Sequence, residues 1–583
     1  MGANHVEGQQ HPRLIVDLLI IHITYMLQVK RAQVFCLAIA LSIGGPLWAQ
    51  KPQTERRFEV SKQLDILNAI VKEVEMFYVD SVETEKVVRR GIDAMLKGLD
   101  PYTEYYPEQE TDNIKMLVTG EYGGVGAYIR ARDGGVIISE PFEGMPAALA
   151  GLKAGDRILM IDTADVRQAT TERVSELLKG TPNSKVVLKI ERPGEKKPRK
   201  VEVTRKQVSL KQVVHYGVYG DGTGYIYLEG FKERSADEVR EALEDLKQNH
   251  HIKSLILDLR DNGGGLLSSA VQIVNLFVPK GREVLSTRGK MKLWDRTYRT
   301  TLDPVDSVIP LAVLINGNSA SASEIVSGAL QDMDRAVLIG NRSFGKGLVQ
   351  TPRDLPYEGQ IKITTSKYYI PSGRCIQQLD YSHRNADGSV SAVPDSLTSV
   401  FYTASGRPVR DGGGIRPDFE MEEKKTPTML FYLVNDFAFF DFVTDWVRAH
   451  PTIAPAKDFV FPDADYESFK KRLKEANFTY DRQSEKALKN LREVAEYEGY
   501  LAEDSATFVA LEARLKPNLD RDLERYKDDI KKLIAAEIVK RYYYQEGAMI
   551  ENLKDDKTLQ KALDVLADRE LYRKTLSRPE EKK

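Results

Sequence analysis

Two short runs, Ile256-Leu257 and Leu311 to Ile315, are apolar at every residue. A strand with one face in water alternates polar and apolar side chains, so unbroken runs of this kind imply strands buried on both faces. They sit in a regular alternation over residues 206–380. Strands are expected at 224–228, 254–259, 311–315 and 336–339, with helices at 236–249, 266–276 and 323–332. The alternation predicts an α/β layered domain.

Around this core the 583-residue chain divides by pattern. Lys30 and Arg31 precede an apolar run that ends at Trp48-Ala49-Gln50. A basic segment, an apolar stretch and a small residue near the cut read as a signal peptide over residues 1–50, with an upstream start before Met26. The expectation is export to the periplasm; the alternative is an uncleaved anchor. Residues 51–117 read as helical, with Val60, Leu64, Leu67, Ile70 and Val71 at helical spacing and a stop at Asp100-Pro101. Residues 118–205 change to short strands, a helix at 171–178 and Gly-rich turns. Residues 206–425 hold the α/β core, and residues 426–583 are charged and helical. Met429 to Val447, rich in aromatics, reads as a buried helix, and Leu523, Tyr526, Ile530, Leu533, Ile534 and Ile538 form one apolar stripe.

Composition removes several functions. With 84 basic and 86 acidic residues the net charge is -2, which argues against nucleic acid as a main partner. Cys36 and Cys375 cannot build a disulfide framework or a Cys-rich zinc site, and the eight histidines show no ligand spacing. No metal and no cofactor is expected.

The chemistry gathers in residues 316–350. A buried strand runs into a small-residue turn with Ser319, Ser321 and Ser323, and a helix begins there. Free N–H groups at a helix start can stabilise an oxyanion, although serine is also a common N-cap. Lys346 follows in Phe344-Gly345-Lys346-Gly347. A lysine between glycines suits a buried amine, and a desolvated lysine can deprotonate serine without histidine. Gln350 shares its face if 345–350 is extended, and its amide could orient that amine. Gly340 to Gly347 nearly matches a phosphate loop, but Gly347 replaces the required hydroxyl and a strand follows. Ser343-x-x-Lys346 matches a penicillin-binding pattern that needs a helical turn, which Gly345 and Gly347 oppose. Asp258 to Gly265 is either a tight turn or the source of a glycine N–H aimed at a carbonyl oxygen. Gly124-Val125-Gly126 could expose successive N–H groups to a carboxylate, beside a strand edge that takes a peptide.

These motifs resemble the carboxyl-terminal processing peptidases, or tail-specific proteases, over roughly residues 56–420. The resemblance rests on Gly98 to Tyr102, Gly123 to Ala127, Ala150 to Ile161, Leu257 to Gly265, Ser319 to Glu324, Phe344 to Gly347 with Gln350, Gly373 to Gln377 and Gly414 to Asp418. It implies a multidomain α/β protein: a layered, crotonase/Clp-protease-like peptidase core, a PDZ domain and helical N- and C-terminal parts. It implies Ser321 as nucleophile, Lys346 as general base and Gln350 as its support. The N–H groups of Ala322 and Gly264 are implied as the oxyanion hole, and Gly124, Val125 and Gly126 as the carboxylate cradle. Lys179 stands where some members place a PDZ arginine that couples binding to activity, and lysine lacks arginine's fork. The implied partners are proteins or peptides with free apolar C-termini, with room left for an adaptor or a homo-oligomer. A non-catalytic PDZ scaffold is the rival reading.

Overall fold

The computed structural model describes residues 53–110, 119–422, 426–481, 483–516 and 518–578. The expected signal segment lies outside these residues. The described residues divide into two units, one ending at Ile92 and the other starting at Asp93. In the first, one helix runs Gln53–Phe77 and a second begins at Thr84. Its apolar positions at helical spacing are exposed: Val60, Leu64, Leu67 and Ile70 each show more than half their surface. Among the described residues, no helix is long and apolar enough to cross a membrane.

The second unit holds the expected layered core. Six strands form one sheet in the order Val213–Tyr219, Thr223–Leu228, Ser254–Asp258, Leu311–Ile315, Val337–Gly340 and Phe419–Glu420. The first pair is antiparallel and the others are parallel. Both unbroken apolar runs lie inside it and are wholly buried. Alternate residues serve alternate faces. Leu255, Leu257, Val313 and Ile315 pack with helices Ser235–Gln248, Leu267–Asn275 and Ala322–Asp332. Ile256, Ala312, Leu314, Val337 and Ile339 pack with Leu559, Ala562, Val565, Leu566 and Tyr572. The latter belong to helices Lys557–Ala567 and Arg569–Leu576, so the end of the helical region covers one face of the core sheet.

Residues 127–204 form an antiparallel sheet in the order Ala127–Arg132, Gly135–Pro141, Arg157–Ile161, Lys185–Glu191, Arg199–Thr204. The helix Thr171–Leu178 lies where the pattern placed it. Arg192 closes the module with a bidentate pair to buried Asp156, at 2.7 and 2.6 Å. This module docks on the helical region: Arg132 donates to Asp441 at 2.7 Å, and Gln545 donates to Glu140 at 2.7 Å. The aromatic stretch is two helices, Thr428–Asn435 and Ala438–Ala449, broken at Phe437, which has φ 58°. Phe439, Phe442, Val443 and Trp446 are buried as expected, while Phe431 is exposed.

Candidate active site

The strand Leu311–Ile315 delivers the chain to the turn 316–321, and the helix Ala322–Asp332 leaves it. Two of the three serines are committed to the scaffold. Ser319 Oγ donates to the Leu259 carbonyl at 2.8 Å, and Ser323 Oγ donates to the Asn262 carbonyl at 2.7 Å; both residues are fully buried. Ser321 between them is partly open to solvent. Its φ of 56° and ψ of -110° place a non-glycine residue in a sparsely populated backbone region. Such a residue costs of order 1–3 kcal/mol and persists only where its surroundings over-determine it. Here the Ser321 N–H donates to Glu324 Oε2 at 2.8 Å, and Tyr368 OH donates to the Ser321 carbonyl at 3.3 Å.

Gly264 abuts this turn. A Cβ built on it would lie 2.9 Å from both Ala322 N and Ser321 Cβ, and its φ is +100°. Only glycine lets the 263–265 run approach Ser321 this closely. The fold therefore brings Gly264, Ser321 and Ala322 together. The Gly264 N–H itself donates to Asn262 Oδ1 at 2.9 Å, and Asn262 Nδ2 donates to the Leu228 carbonyl at 2.8 Å.

Lys346 precedes the strand Leu348–Asp354, which pairs with Gln360–Tyr369. Its backbone N–H donates to Glu324 Oε2 at 2.9 Å, the same oxygen that binds Ser321. Its amine meets an aromatic face: Nζ lies 4.1 Å from the centre of the Tyr102 ring. Burial, and after it the Lys362 ammonium, holds the Lys346 amine below the ordinary lysine range, against Glu104, Asp100 and Glu324. Lys362 is itself tied to Glu104 at 2.6 Å. Gln350 lies on the extended strand, and its amide donates to Thr364 Oγ1 at 3.1 Å rather than to Lys346.

Sequence reasoning gave no role to Glu324, Tyr102, Asn262 or Tyr368. Three of them were within reach, since Glu324, Tyr102 and Asn262 fall inside the quoted motifs. Tyr102 is set by a side-chain turn in which Asp100 Oδ1 accepts from Tyr102 N and Thr103 N, each at 2.8 Å.

The Gly-rich segment lies in the antiparallel module. The strand Ala127–Arg132 is an edge of its sheet, and the helix Thr171–Leu178 runs beside it. Between them is a cavity of about 200 Å³ lined by Val125, Tyr128, Phe142, Ser175, Leu178 and Lys179, among others. Gly124 instead pairs with Lys206 in a two-stranded ladder, and the Gly126 carbonyl accepts from Phe142 N at 3.0 Å. Arg205 donates to the Leu177 and Leu178 carbonyls, closing the C-terminal end of the groove helix.

Three family models match. Residues 222–382 match peptidase family S41, residues 137–192 a PDZ domain, and residues 429–566 the C-terminal helical domain of "Probable PDZ-protease". A carboxy-terminal-processing protease of Bartonella bacilliformis is 35% identical over 354 residues, covering 60% of this chain and 81% of that protein. A probable CtpA-like serine protease of Staphylococcus aureus is 31% identical over 316 residues, covering 54% of this chain and 62% of that protein. Among solved structures, the photosystem II D1 C-terminal processing protease is 26% identical, covers 64% of this chain and 96% of its own, and gives a TM-score of 0.34. The PDZ domain of a Vibrio cholerae carboxy-terminal protease, solved with a peptide, is 33% identical over 15% of this chain and 99% of its own, with a TM-score of 0.15.

Proposed function

Because the chain belongs to the S41 family of carboxy-terminal-processing serine proteases and carries a PDZ domain, we propose that it binds free protein C-termini and cleaves upstream of them with a Ser321–Lys346 dyad. The observation that carries the dyad is one oxygen: Glu324 Oε2 accepts from the backbone of both Ser321 and Lys346, at 2.8 and 2.9 Å. The committed hydroxyls of Ser319 and Ser323 leave Ser321 as the nucleophile of the turn.

In this mechanism Lys346 is neutral, as its burial favours. It takes the Ser321 hydroxyl proton while Oγ attacks the scissile carbonyl carbon. The Ala322 N–H faces the resulting oxyanion, and the Gly264 N–H joins it by exchanging Asn262 Oδ1 for the new charge. Protonated Lys346 gives its proton to the leaving amine as the C–N bond breaks. Water, deprotonated by Lys346, then releases the acyl group. Gln350 supports the amine by turning from Thr364 toward it.

The substrate enters as an added strand on the edge Ala127–Arg132, with its carboxylate at Gly124, Val125 and Gly126. Tyr128, Phe142 and Leu178 favour an apolar last side chain. Export to the periplasm rests on the sequence of residues 1–50, and mass analysis of the N-terminus in a cell envelope fraction tests it.

The deciding experiment incubates residues 51–583 with an unstructured reporter ending in an apolar residue, with its carboxylate free or amidated. Cleavage of the free form, weakened by amidation and abolished in Ser321→Ala, is the expected result. Cleavage that persists in Ser321→Ala overturns the dyad. Tail binding with no cleavage in any form favours a scaffold.

A further inference from the structure

We propose that Glu324 is a positioning residue of this protease, whose carboxylate locks the nucleophile turn to the lysine loop. The inference rests on the Ser321–Lys346 reading and deepens it. Glu324 has no accessible surface. A carboxylate removed from water is costly unless its lone pairs are filled. These are filled by four donors, and among the described residues no Lys or Arg side chain is hydrogen-bonded to it. Oε2 accepts from Ser321 N at 2.8 Å and Lys346 N at 2.9 Å. Oε1 accepts from Ser343 Oγ and Gly345 N, both at 2.6 Å. One oxygen thus bridges the two halves of the dyad, and the other holds the loop that carries the base.

The arrangement does more than cap a helix. A capping glutamate would need only the Ser321 N–H. Three of the four donors here come from residues 343–346, beyond the end of the helix. The contacts continue outward, because Ser343 Oγ also accepts from Ile415 N at 2.6 Å. A carboxylate is the side chain that this site requires, since it offers two acceptor oxygens and no hydrogen. A glutamine of the same shape turns an NH2 group toward one donor pair, so at least one backbone N–H loses its acceptor. The lock matters because Ser321 sits in a strained conformation and Lys346 lies on a loop. Without it, their separation is not fixed, and misplacement of reacting groups by about 1 Å can cost about a hundredfold in rate.

The test compares wild type, Glu324→Gln, Ser343→Ala and Ser321→Ala by kcat and KM on the tail reporter, by thermal unfolding, and by amide hydrogen exchange at residues 321, 345 and 346. For Glu324→Gln the expected result is a kcat loss of about a hundredfold with KM within about threefold. Exchange should accelerate at Ser321, Gly345 and Lys346. Ser343→Ala, which removes one donor, should lose kcat by about three- to tenfold in the same pattern. A Glu324→Gln protein with wild-type kcat, or with a lower unfolding midpoint as its only change, is merely missing a cap and overturns the proposal. If Glu324→Gln does not fold, wild-type kcat in Ser343→Ala overturns it instead. If Ser321→Ala still cleaves, the nucleophile assignment has failed. Exchange then decides the lock alone, and unchanged rates at the three amides reject it.

Discussion

The two faces of the peptidase sheet are built from different parts of the chain. One face is covered by helices 235–248, 267–275 and 322–332, which follow their strands directly in sequence. The other is covered by helices 557–567 and 569–576, which come at the end of the helical region. The near cover carries the proposed chemistry: Ser321 precedes helix 322–332, and Gly264 precedes helix 267–275. The far cover contributes apolar area, the Tyr572 hydroxyl, an Arg569 donor to the Lys253 carbonyl and, at the N-cap of helix 557–567, Asp556 paired with Arg260. A face closed by local connections can hold strained backbone such as Ser321 at a defined place. A face closed from a distance needs only to be dry.

This division predicts that activity and stability separate by face. The largest effect is Ser321→Ala. It should lower kcat/KM by at least about a thousandfold and leave the unfolding midpoint nearly unchanged. A large fall in stability would mean that the turn itself supports the fold. The reverse is expected of Leu566→Ala. Leu566 is 2% exposed within the far cover, and losing it should cost about 2–5 kcal/mol of stability. The kcat of the folded protein should stay within twofold, and a large kcat loss would break the separation.

A third test concerns the base. Lys362 is the largest influence after burial that holds Lys346 down, while Glu104 pulls it up. In Lys362→Met the lowering charge is gone, and Glu104 loses its 2.6 Å partner. Both changes raise Lys346. The neutral amine forms as pH rises through the Lys346 pKa, so the rising limb of kcat/KM should move to higher pH. A limb that stays in place or moves lower means that Lys362 does not set the base.

The same contrast decides what was legible in sequence. The near face could be read because unbroken apolar strands and the helices after them announce a layered sheet. Helix 171–178 and strand 185–191 of the PDZ domain lie where alternation and helical period put them. The far face could not be assigned. An amphipathic helix reports that it packs, but not on what, and its partner strands lie hundreds of residues earlier. The stripe over 521–545 was readable, with Leu523, Ile530, Ile534 and Ile538 fully buried, although Leu533 is exposed. The break at Phe437 was hidden because aromatic content says nothing of a left-handed backbone turn. In the site, serine and lysine carried a signal through their small neighbours. Glu324 stood at capping-box spacing from Ser321, but that spacing announces only the Ser321 N–H; the three donors from residues 343–346 are brought by the fold alone. Tyr102 stood in a motif that resembled the family's, but its contact with Lys346 joins segments far apart in sequence and only the fold shows it.

The smallest effect tests the far face at the Tyr572 hydroxyl. Tyr572 OH accepts from Leu311 N at 3.0 Å and donates to the Leu311 carbonyl at 3.3 Å. Leu311 opens the strand whose other end delivers the turn that holds Ser321. Tyr572→Phe keeps the ring and its packing but strips that backbone pair of its partner. Leaving a buried N–H unmatched should cost about 1–2 kcal/mol, read as a lower denaturant midpoint with an unchanged slope. If the far cover only dries the sheet, kcat and its pH profile stay as in wild type. If kcat falls with stability, the strand transmits its register from Leu311 to Ser321. The distant helices would then be part of what places the nucleophile, and the two faces would differ in connection but not in function.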